Sequence, residues 1–268
     1  MVAIAEYGQF NTHYLMQFLV RGYQALIGGK MAEEPETTTA EYWTERWEEG
    51  KTGWHREEVN EYLIKYLDEF TGGRSNLRVF LPLCGKSVDM LWLADQGHTV
   101  VGVEIAKQAI KSFFTENNLT FTLESVKMAA SGEPAEVYKC KEKKITIICC
   151  DLFTITDEDV GGKFDAIWDR GSLSAIVPSA GDRGKRYAKK LHSLLANNGN
   201  YMLESHHYET DRGIRPPASI SYELRNEIYR EHFTIKELDI DRQEEDPNRS
   251  LSFAHDRLYH LFKPKDNN

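Results

Sequence analysis

The chain has 268 residues, 41% hydrophobic and 28% charged, a composition typical of a globular protein with a sizeable core. Its formal net charge of −9 argues against a broad nucleic-acid-binding surface, because phosphate binding needs clustered Lys and Arg. No segment approaches the ~20 apolar residues of a membrane-spanning helix. We therefore expect neither nucleic acid nor membrane as a partner.

The cysteines indicate free thiols. Cys84, Cys140, Cys149 and Cys150 contain no C-x-x-C pair and have no nearby histidine at metal-ligand spacing. We expect no bound metal and a reducing, cytoplasmic compartment.

The first 38 residues predict an N-terminal extension of uncertain order, followed by one domain over residues 39–268. Residues 14–27 are apolar in patches, which favours an amphipathic helix. A targeting peptide is the alternative, but the segment has a single Arg and few Ser.

An aromatic segment opens the predicted domain. Trp43 and Trp47 are four residues apart and so share one face of a predicted helix, directly before a turn at Gly50 to Gly53. Trp54 follows that turn, and apolar residues at helical spacing over residues 59–70 predict a core-facing helix. The tryptophans suit either a lid over a ligand or a cover for the edge of a sheet.

Residues 77–104 predict half of a nucleotide-binding site. Residues 77–83 are apolar nearly throughout, which is typical of a strand buried on both faces of a parallel sheet. Gly85 allows a sharp turn into a helix that ends near Gly97. Glu104 ends the next strand, 19 positions after Gly85, near the spacing at which a carboxylate binds ribose hydroxyls.

The number of glycines in this turn narrows the class of ligand. A dinucleotide site needs G-x-G-x-x-G, and a P-loop needs a glycine where this chain has Phe80, so the Lys86-Ser87 pair is a false cue. One glycine with a ribose-binding acid fits a nucleoside without phosphate, such as S-adenosylmethionine. An ordinary strand-helix-strand unit with a surface glutamate is the alternative.

The second half of the chain continues the alternation of strands and helices, and so predicts one α/β domain. Residues 145–150 and 164–170 predict buried strands that end in Asp151-Leu152 and Asp169-Arg170. Residues 122–144 predict a hairpin or loop, and residues 201–204 a short strand after a helix that Gly199 ends. Further predicted elements are helices over 182–196 and 220–228, a loop at Pro216-Pro217, and closing strands over 235–240 and 251–262.

The strand ends carry Gly85, Glu104, Asp151-Leu152 and Asp169-Arg170, which a doubly wound sheet brings to one crevice. Taken together, these motifs resemble the thiopurine S-methyltransferase family of class I methyltransferases. The motifs that carry the resemblance are Tyr42-Trp-Thr-Glu-Arg-Trp47, Gly50-Lys-Thr-Gly-Trp-His55, Val79-Phe-Leu-Pro-Leu-Cys-Gly-Lys86, Val101-Gly-Val-Glu104, Phe164-Asp-Ala-Ile-Trp-Asp-Arg-Gly171 and Pro216-Pro217. The resemblance covers residues 41–262 and implies a Rossmann-like, mostly parallel sheet with helices on both faces and an antiparallel strand near the C-terminus.

The resemblance also implies a cofactor site. Trp43 and Trp47 would lie over S-adenosylmethionine, and Leu83 and Gly85 would contact its methionine end. Glu104 would bind the ribose, and Asp151-Leu152 would meet the adenine.

On the acceptor side, the resemblance implies that Arg170 lies near both the methionine carboxylate and the methyl acceptor, and that Trp54 faces the acceptor. A second substrate-side arginine has no secure match; Arg249 is the candidate, and Arg242 could equally serve. Asp169 is either a proton acceptor or a partner that holds Arg170 or a backbone amide.

The implied activity is methyl transfer from S-adenosylmethionine to the sulfur of small thiols, aromatic or heterocyclic ones among them, with S-adenosylhomocysteine as product and a monomer as the default state. One alternative is methylation of halide, sulfide, selenium or tellurium species. Another is a non-catalytic S-adenosylmethionine-binding protein.

Overall fold

The computed structural model describes residues 39–177, 182–208, 217–244 and 255–265. The predictions for the extension over residues 1–38, for Pro216 and for Arg249 lie outside these ranges.

The described chain alternates helices and strands. The helices are α1 (Ala40–Glu48), α2 (Glu61–Lys65), α3 (Leu67–Thr71), α4 (Asp89–Asp95), α5 (Lys107–Glu116), α6 (Ser172–Ile176), α7 (Arg183–Leu194) and α8 (Tyr222–Tyr229). The strands are β1 (Arg78–Leu81), β2 (Thr99–Glu104), β3 (Phe121–Lys127), β4 (Pro134–Cys140), β5 (Ile145–Cys149), β6 (Phe164–Arg170), β7 (Leu195–Tyr208), β8 (Phe233–Gln243) and β9 (His255–Pro264).

One sheet takes these strands in the order β3-β4-β5-β2-β1-β6-β7-β9-β8. Its centre, β5-β2-β1-β6-β7, is parallel. The chain leaves β1 first toward β2 and later returns to β6 on the other side, so β1 stands at the point where the strand order reverses. In open α/β sheets, ligands bind outside the carboxyl ends of the strands at such a point.

The predicted fold class is confirmed, with antiparallel pairs at both edges. Strand β9 runs antiparallel to β7 and to β8 near the C-terminus, as predicted. The segment over residues 122–144 contains a hairpin, because β3 and β4 pair antiparallel. Strand β4 also pairs antiparallel with β5.

Apolar clusters cover both faces of the sheet. One cluster packs α6, α7 and α8 against the sheet and is built around Phe80, Ile167 and Leu203. The other packs α2 to α5 on the opposite face around Val79, Trp168 and Tyr259. The two clusters contain different residues of the same strands, because successive residues of a strand point to opposite faces of the sheet.

Two local predictions were wrong. The helix predicted over residues 59–70 is broken at Tyr66 into α2 and α3. The short strand predicted over residues 201–204 is the 14-residue β7, and Gly199 lies inside it instead of ending a helix. The polar end of β7 reads as loop in the sequence, but it is strand because residues 205–208 pair with β9.

Gly102 in the middle of β2 allows the turn after β1 to pack closely. A Cβ at this position would lie 2.6 Å from Cys84 Sγ and 3.2 Å from Met90 Sδ. These distances are shorter than normal contacts, so a side chain here would displace the turn or helix α4.

We expect Gly102→Ala to lower the free energy of unfolding by about 1–3 kcal/mol, the usual cost of overpacking a core. Denaturant unfolding measures this change. Gly53→Ala is the matched control, because its Cβ would meet nothing within 4 Å. Adding Cys84→Ala to Gly102→Ala should recover part of the loss; purely additive effects of the two changes would contradict the proposed contact.

Candidate active site

The turn that follows β1 has a strained backbone that is fixed by neighbouring strands. Leu83 has a φ of 43° and Gly85 a φ of 51°, a region that glycine adopts easily and leucine rarely does. Cys84 N donates to Val103 O at 2.9 Å, which joins the turn to β2. From the start of α6, Ser172 Oγ donates a hydrogen bond to Pro82 O at 3.0 Å. The turn is therefore held from both sides at the carboxyl edge of the sheet.

The carboxylate of Glu104 closes the same turn from the end of β2. One oxygen accepts from Gly85 N at 2.9 Å, and the other accepts from Ala106 N at 2.8 Å. Burial raises the pKa of this carboxyl group, and the backbone hydrogen bonds oppose that shift. Since an ionised carboxylate offers about four lone-pair sites, two remain for other donors.

Helix α1 carries an aromatic cluster over the turn. Trp47 is buried, and its Cζ2 lies 3.1 Å from where a Cβ of Gly85 would stand. Trp54 meets the rings of both Trp43 and Trp47 edge to face, at centroid distances of 5.4 and 5.8 Å. Of the two predicted lid residues, Trp47 lies over the Gly85 turn, and Trp43 is linked to it through Trp54, the residue predicted to face the acceptor.

The end of β5 lies beside Glu104. Cys150 N donates to Glu104 O at 3.2 Å. Asp151 follows and begins a turn, in which its carboxylate accepts from Phe153 N at 2.9 Å. Leu152 is buried in the core. The structure thus brings Asp151 to the same sheet edge as Glu104, with β2 between its strand and the strand that leads into the Gly85 turn.

Arg170 ends β6 and lines a cleft with Gly85, Trp47 and Trp54. Its Nε lies 3.8 Å from Asp89 Oδ2, and its side chain is largely buried. Asp89 is fixed in turn, because its carboxylate accepts from Trp168 Nε1 at 2.8 Å and from Asn60 N at 2.9 Å. Asp89 was not predicted as a site residue.

A second polar group that was not predicted as part of the site lies on β7, next to Arg170. Glu204, the register partner of Arg170, is buried and accepts from Asn60 Nδ2 at 2.5 Å and from Tyr259 OH at 2.9 Å. His206 follows on the same face, with Nε2 3.6 Å from a Glu204 oxygen. Burial and nearby cations lower the pKa of His206 to about 3, so its ring is neutral at physiological pH.

The structure does not support Asp169 as a proton acceptor. Its side chain is fully buried, and its carboxylate accepts from Tyr187 OH at 2.6 Å and Tyr201 OH at 2.7 Å. It also accepts from Ser172 N at 3.2 Å, which agrees with the predicted backbone-amide role. Burial raises the pKa of this carboxyl group. Asp169 does not hold Arg170, since neighbouring strand residues face opposite sides of the sheet.

Of the two candidates for the second substrate-side arginine, the structure describes one. Arg249 lies outside the described residues. Arg242 lies near the end of β8, where its Nη1 is 3.0 Å from Asp256 Oδ1. Strand β8 runs in the same direction as β7, so Arg242 is at the carboxyl edge, but β7 and β9 separate its strand from that of Arg170.

His55 is the remaining ionisable side chain of the cleft that the sequence did not single out. It lines the cleft together with Lys86 and Arg170. Burial, Lys86 and Arg170 lower its pKa. Among the residues that the structure describes, no group of three or more His, Cys, Asp and Glu side chains could hold a metal ion.

The residues present fit a nucleoside with a sulfonium. The turn at Gly85 leaves no room for a Cβ beneath Trp47, Glu104 keeps lone pairs for ribose hydroxyls, and aromatic faces attract a cation.

Solved structures agree on the fold. The N-methyltransferase NodS from Bradyrhizobium japonicum, in complex with S-adenosylhomocysteine, matches with a TM-score of 0.57 at 12% identity, over 83% of this chain and 98% of that one. The fold is that of the class I S-adenosylmethionine-dependent methyltransferases.

Sequence comparison gives the family. The family model described as thiopurine S-methyltransferase matches residues 38–263. Thiopurine S-methyltransferase of Bos taurus is 44% identical over 190 residues, which cover 71% of this chain and 75% of that protein. The same enzyme of Panthera leo is 45% identical over 189 residues, 70% of this chain and 74% of that protein. The chain belongs to the thiopurine S-methyltransferase family.

We expect Tyr187→Phe to destabilise the protein by about 1.5–3 kcal/mol, because it removes a hydrogen bond to the buried carboxylate of Asp169. Affinity for S-adenosylmethionine should stay unchanged, since Asp169 faces away from the cleft. Thermal or denaturant unfolding and calorimetry measure the two effects.

Tyr222→Phe is the matched control for this change, because Tyr222 is 62% exposed. A loss of cofactor affinity in Tyr187→Phe without loss of stability would contradict the structural role of Asp169.

Proposed function

We propose that this enzyme transfers the methyl group of S-adenosylmethionine to the sulfur of small thiols, aromatic and heterocyclic thiols among them. The observation that carries the proposal is Arg170, whose guanidinium lines the cleft formed by the Gly85 turn and the tryptophans. A guanidinium beside the methyl donor can stabilise a thiolate acceptor, and family membership supports the same chemistry.

Cofactor binding is assigned to the first two strand ends and the lid. Glu104 would accept the ribose hydroxyls with the lone pairs that Gly85 N and Ala106 N leave open. Trp43 and Trp47 would cover the cofactor, and Leu83 with Gly85 would contact its methionine end. Asp151 and Leu152 would border the adenine, because they follow the strand next to β2.

The acceptor side is assigned to Arg170 and Trp54. S-adenosylmethionine supplies a methyl group on a sulfonium, and the chain has to orient the acceptor in line with it. Asp89 holds Arg170 in place, so the guanidinium is aligned before the acceptor arrives. Trp54 is 39% exposed and can stack on a planar acceptor. Arg242 or Arg249 would supply a second positive charge.

The setting we propose is a cytoplasmic monomer with residues 39–268 as one catalytic domain, a small thiol as partner and no nucleic acid. All four cysteines are free, which suits a reducing compartment. Within the described part of the chain, no helix is long and apolar enough to cross a membrane.

A labelled-methyl panel tests the activity. The purified chain should transfer methyl from S-adenosylmethionine to thiopurines and aryl thiols, and less or not at all to sulfide, iodide and selenite. Preference for one of the inorganic acceptors would replace the thiol proposal. Transfer to none of them, with calorimetry still showing cofactor binding, would indicate a non-catalytic binding protein.

We expect Glu104→Gln to weaken S-adenosylmethionine binding by about 1–3 kcal/mol, because an amide cannot accept from both backbone amides and the ribose. Isothermal titration calorimetry measures the loss, with NAD as a ligand that should give no heat. Glu124→Gln is the control, since Glu124 is exposed on β3 and pairs with Lys139. Unchanged affinity in Glu104→Gln would show that the ribose binds elsewhere.

A further inference from the structure

His55 lies in the cleft, with no partner for its ring among the described residues. The residue follows Trp54 in the turn after α1, and its backbone N donates to Thr52 O at 2.9 Å, which fixes its place in that turn. Its side chain lines the cleft with Gly85 and Arg170 and is partly exposed. No residue in the described part of the chain makes a hydrogen bond or ion pair with its ring.

The carboxylates and the thiol near the cleft are unavailable for proton transfer. Glu104 is buried and accepts from two backbone amides. Asp89 is buried and engaged by Trp168 Nε1, Asn60 N and Arg170. Burial raises the pKa of the Cys84 thiol well above its usual range.

The cations of the cleft cannot accept a proton either. The guanidinium of Arg170 stays protonated in proteins. Lys86 is an ammonium that pairs with Glu116 at 2.7 Å. Among the residues described as lining the cleft, the imidazole of His55 is therefore the side chain that offers a basic lone pair.

Burial and the neighbouring charges favour the neutral form of the His55 ring. Burial lowers the pKa of the ring, Lys86 and Arg170 lower it further, and the carboxylates of Glu116 and Glu57 oppose the shift. A lowered pKa means that the neutral form, which can accept a proton, persists to a more acidic pH than in a free histidine.

We propose that His55 accepts the thiol proton of the methyl acceptor in this cleft, a role that rests on the proposed S-methyltransferase function. The S–H bond breaks, its electron pair stays on sulfur, and the proton forms an N–H bond on the imidazole. The thiolate sulfur then bonds to the methyl carbon, while the bond from that carbon to the sulfonium breaks and its electron pair returns to the donor sulfur. The imidazolium releases its proton to water through the exposed side of the ring.

The proposal predicts which acceptors depend on His55. A base matters most for a thiol that is protonated at working pH and least for one that is already ionised. Benzyl mercaptan and 4-nitrothiophenol are suitable probes, because both are aromatic and small, but only the second is ionised at neutral pH.

We expect His55→Asn to lower kcat/KM for benzyl mercaptan at pH 7 by about 10²-fold, the scale of general base catalysis, and to leave 4-nitrothiophenol close to the wild-type rate. The loss for benzyl mercaptan should shrink as the pH rises through the pKa of that thiol. S-adenosylmethionine affinity, measured by calorimetry, should not change. His55→Gln is made in parallel, and His192→Gln, on α7, is the control histidine.

Equal losses with both thiols, or no loss with either, would overturn the proton-acceptor role. So would a wild-type profile for benzyl mercaptan that follows the ionisation of the thiol alone, a measurement that needs no variant. If the wild-type enzyme methylates neither thiol, the S-methyltransferase function itself fails, and the role of His55 fails with it.

Discussion

The site depends on the carboxylate of Glu104, which joins three elements at one point. By accepting from Gly85 N and Ala106 N, it ties the turn after β1 to the end of β2 and to the start of α5. Helix α1 then packs against the same place, because Trp47 contacts both the Gly85 turn and the α5 surface at Ala109. Without this buried acceptor, two backbone amides would lose their partner and the turn its shape.

A second network fixes the surroundings of Arg170 and connects parts of the chain that are distant in sequence. Asn60 donates its backbone N to Asp89 and its side chain to Glu204, so the start of α2 is fixed to both α4 and β7. Asp89 in turn faces Arg170. The orientation of the guanidinium therefore depends on tertiary contacts made by three separate elements, while its place at the sheet edge depends only on the end of β6.

This difference explains what the sequence could predict. The ends of β1, β2, β5 and β6 were predicted, because an apolar run followed by a turn residue is a local pattern. Asp89, Asn60 and Glu204 were missed, since their partners lie far away in sequence. One error was avoidable: Asp169 adjoins Arg170, and the two-residue period of a strand already places their side chains on opposite faces. The polar end of β7 carries no such signal and is strand only because β9 pairs with it.

The charges of the cleft suit the transfer of a methyl group from a sulfonium to a thiolate. The buried carboxylates of Glu104 and Asp89 accept from backbone amides and fixed side chains, so among the described residues that line the cleft the charged side chains are Arg170 and Lys86. A positive field lowers the pKa of any acid inside it, whether an imidazolium or a thiol. In the proposed reaction, the cations that add to the effect of burial in lowering the pKa of His55 would also stabilise the thiolate acceptor. The same positive field therefore lowers both the basicity of the proposed proton acceptor and the pKa of the thiol that it has to ionise.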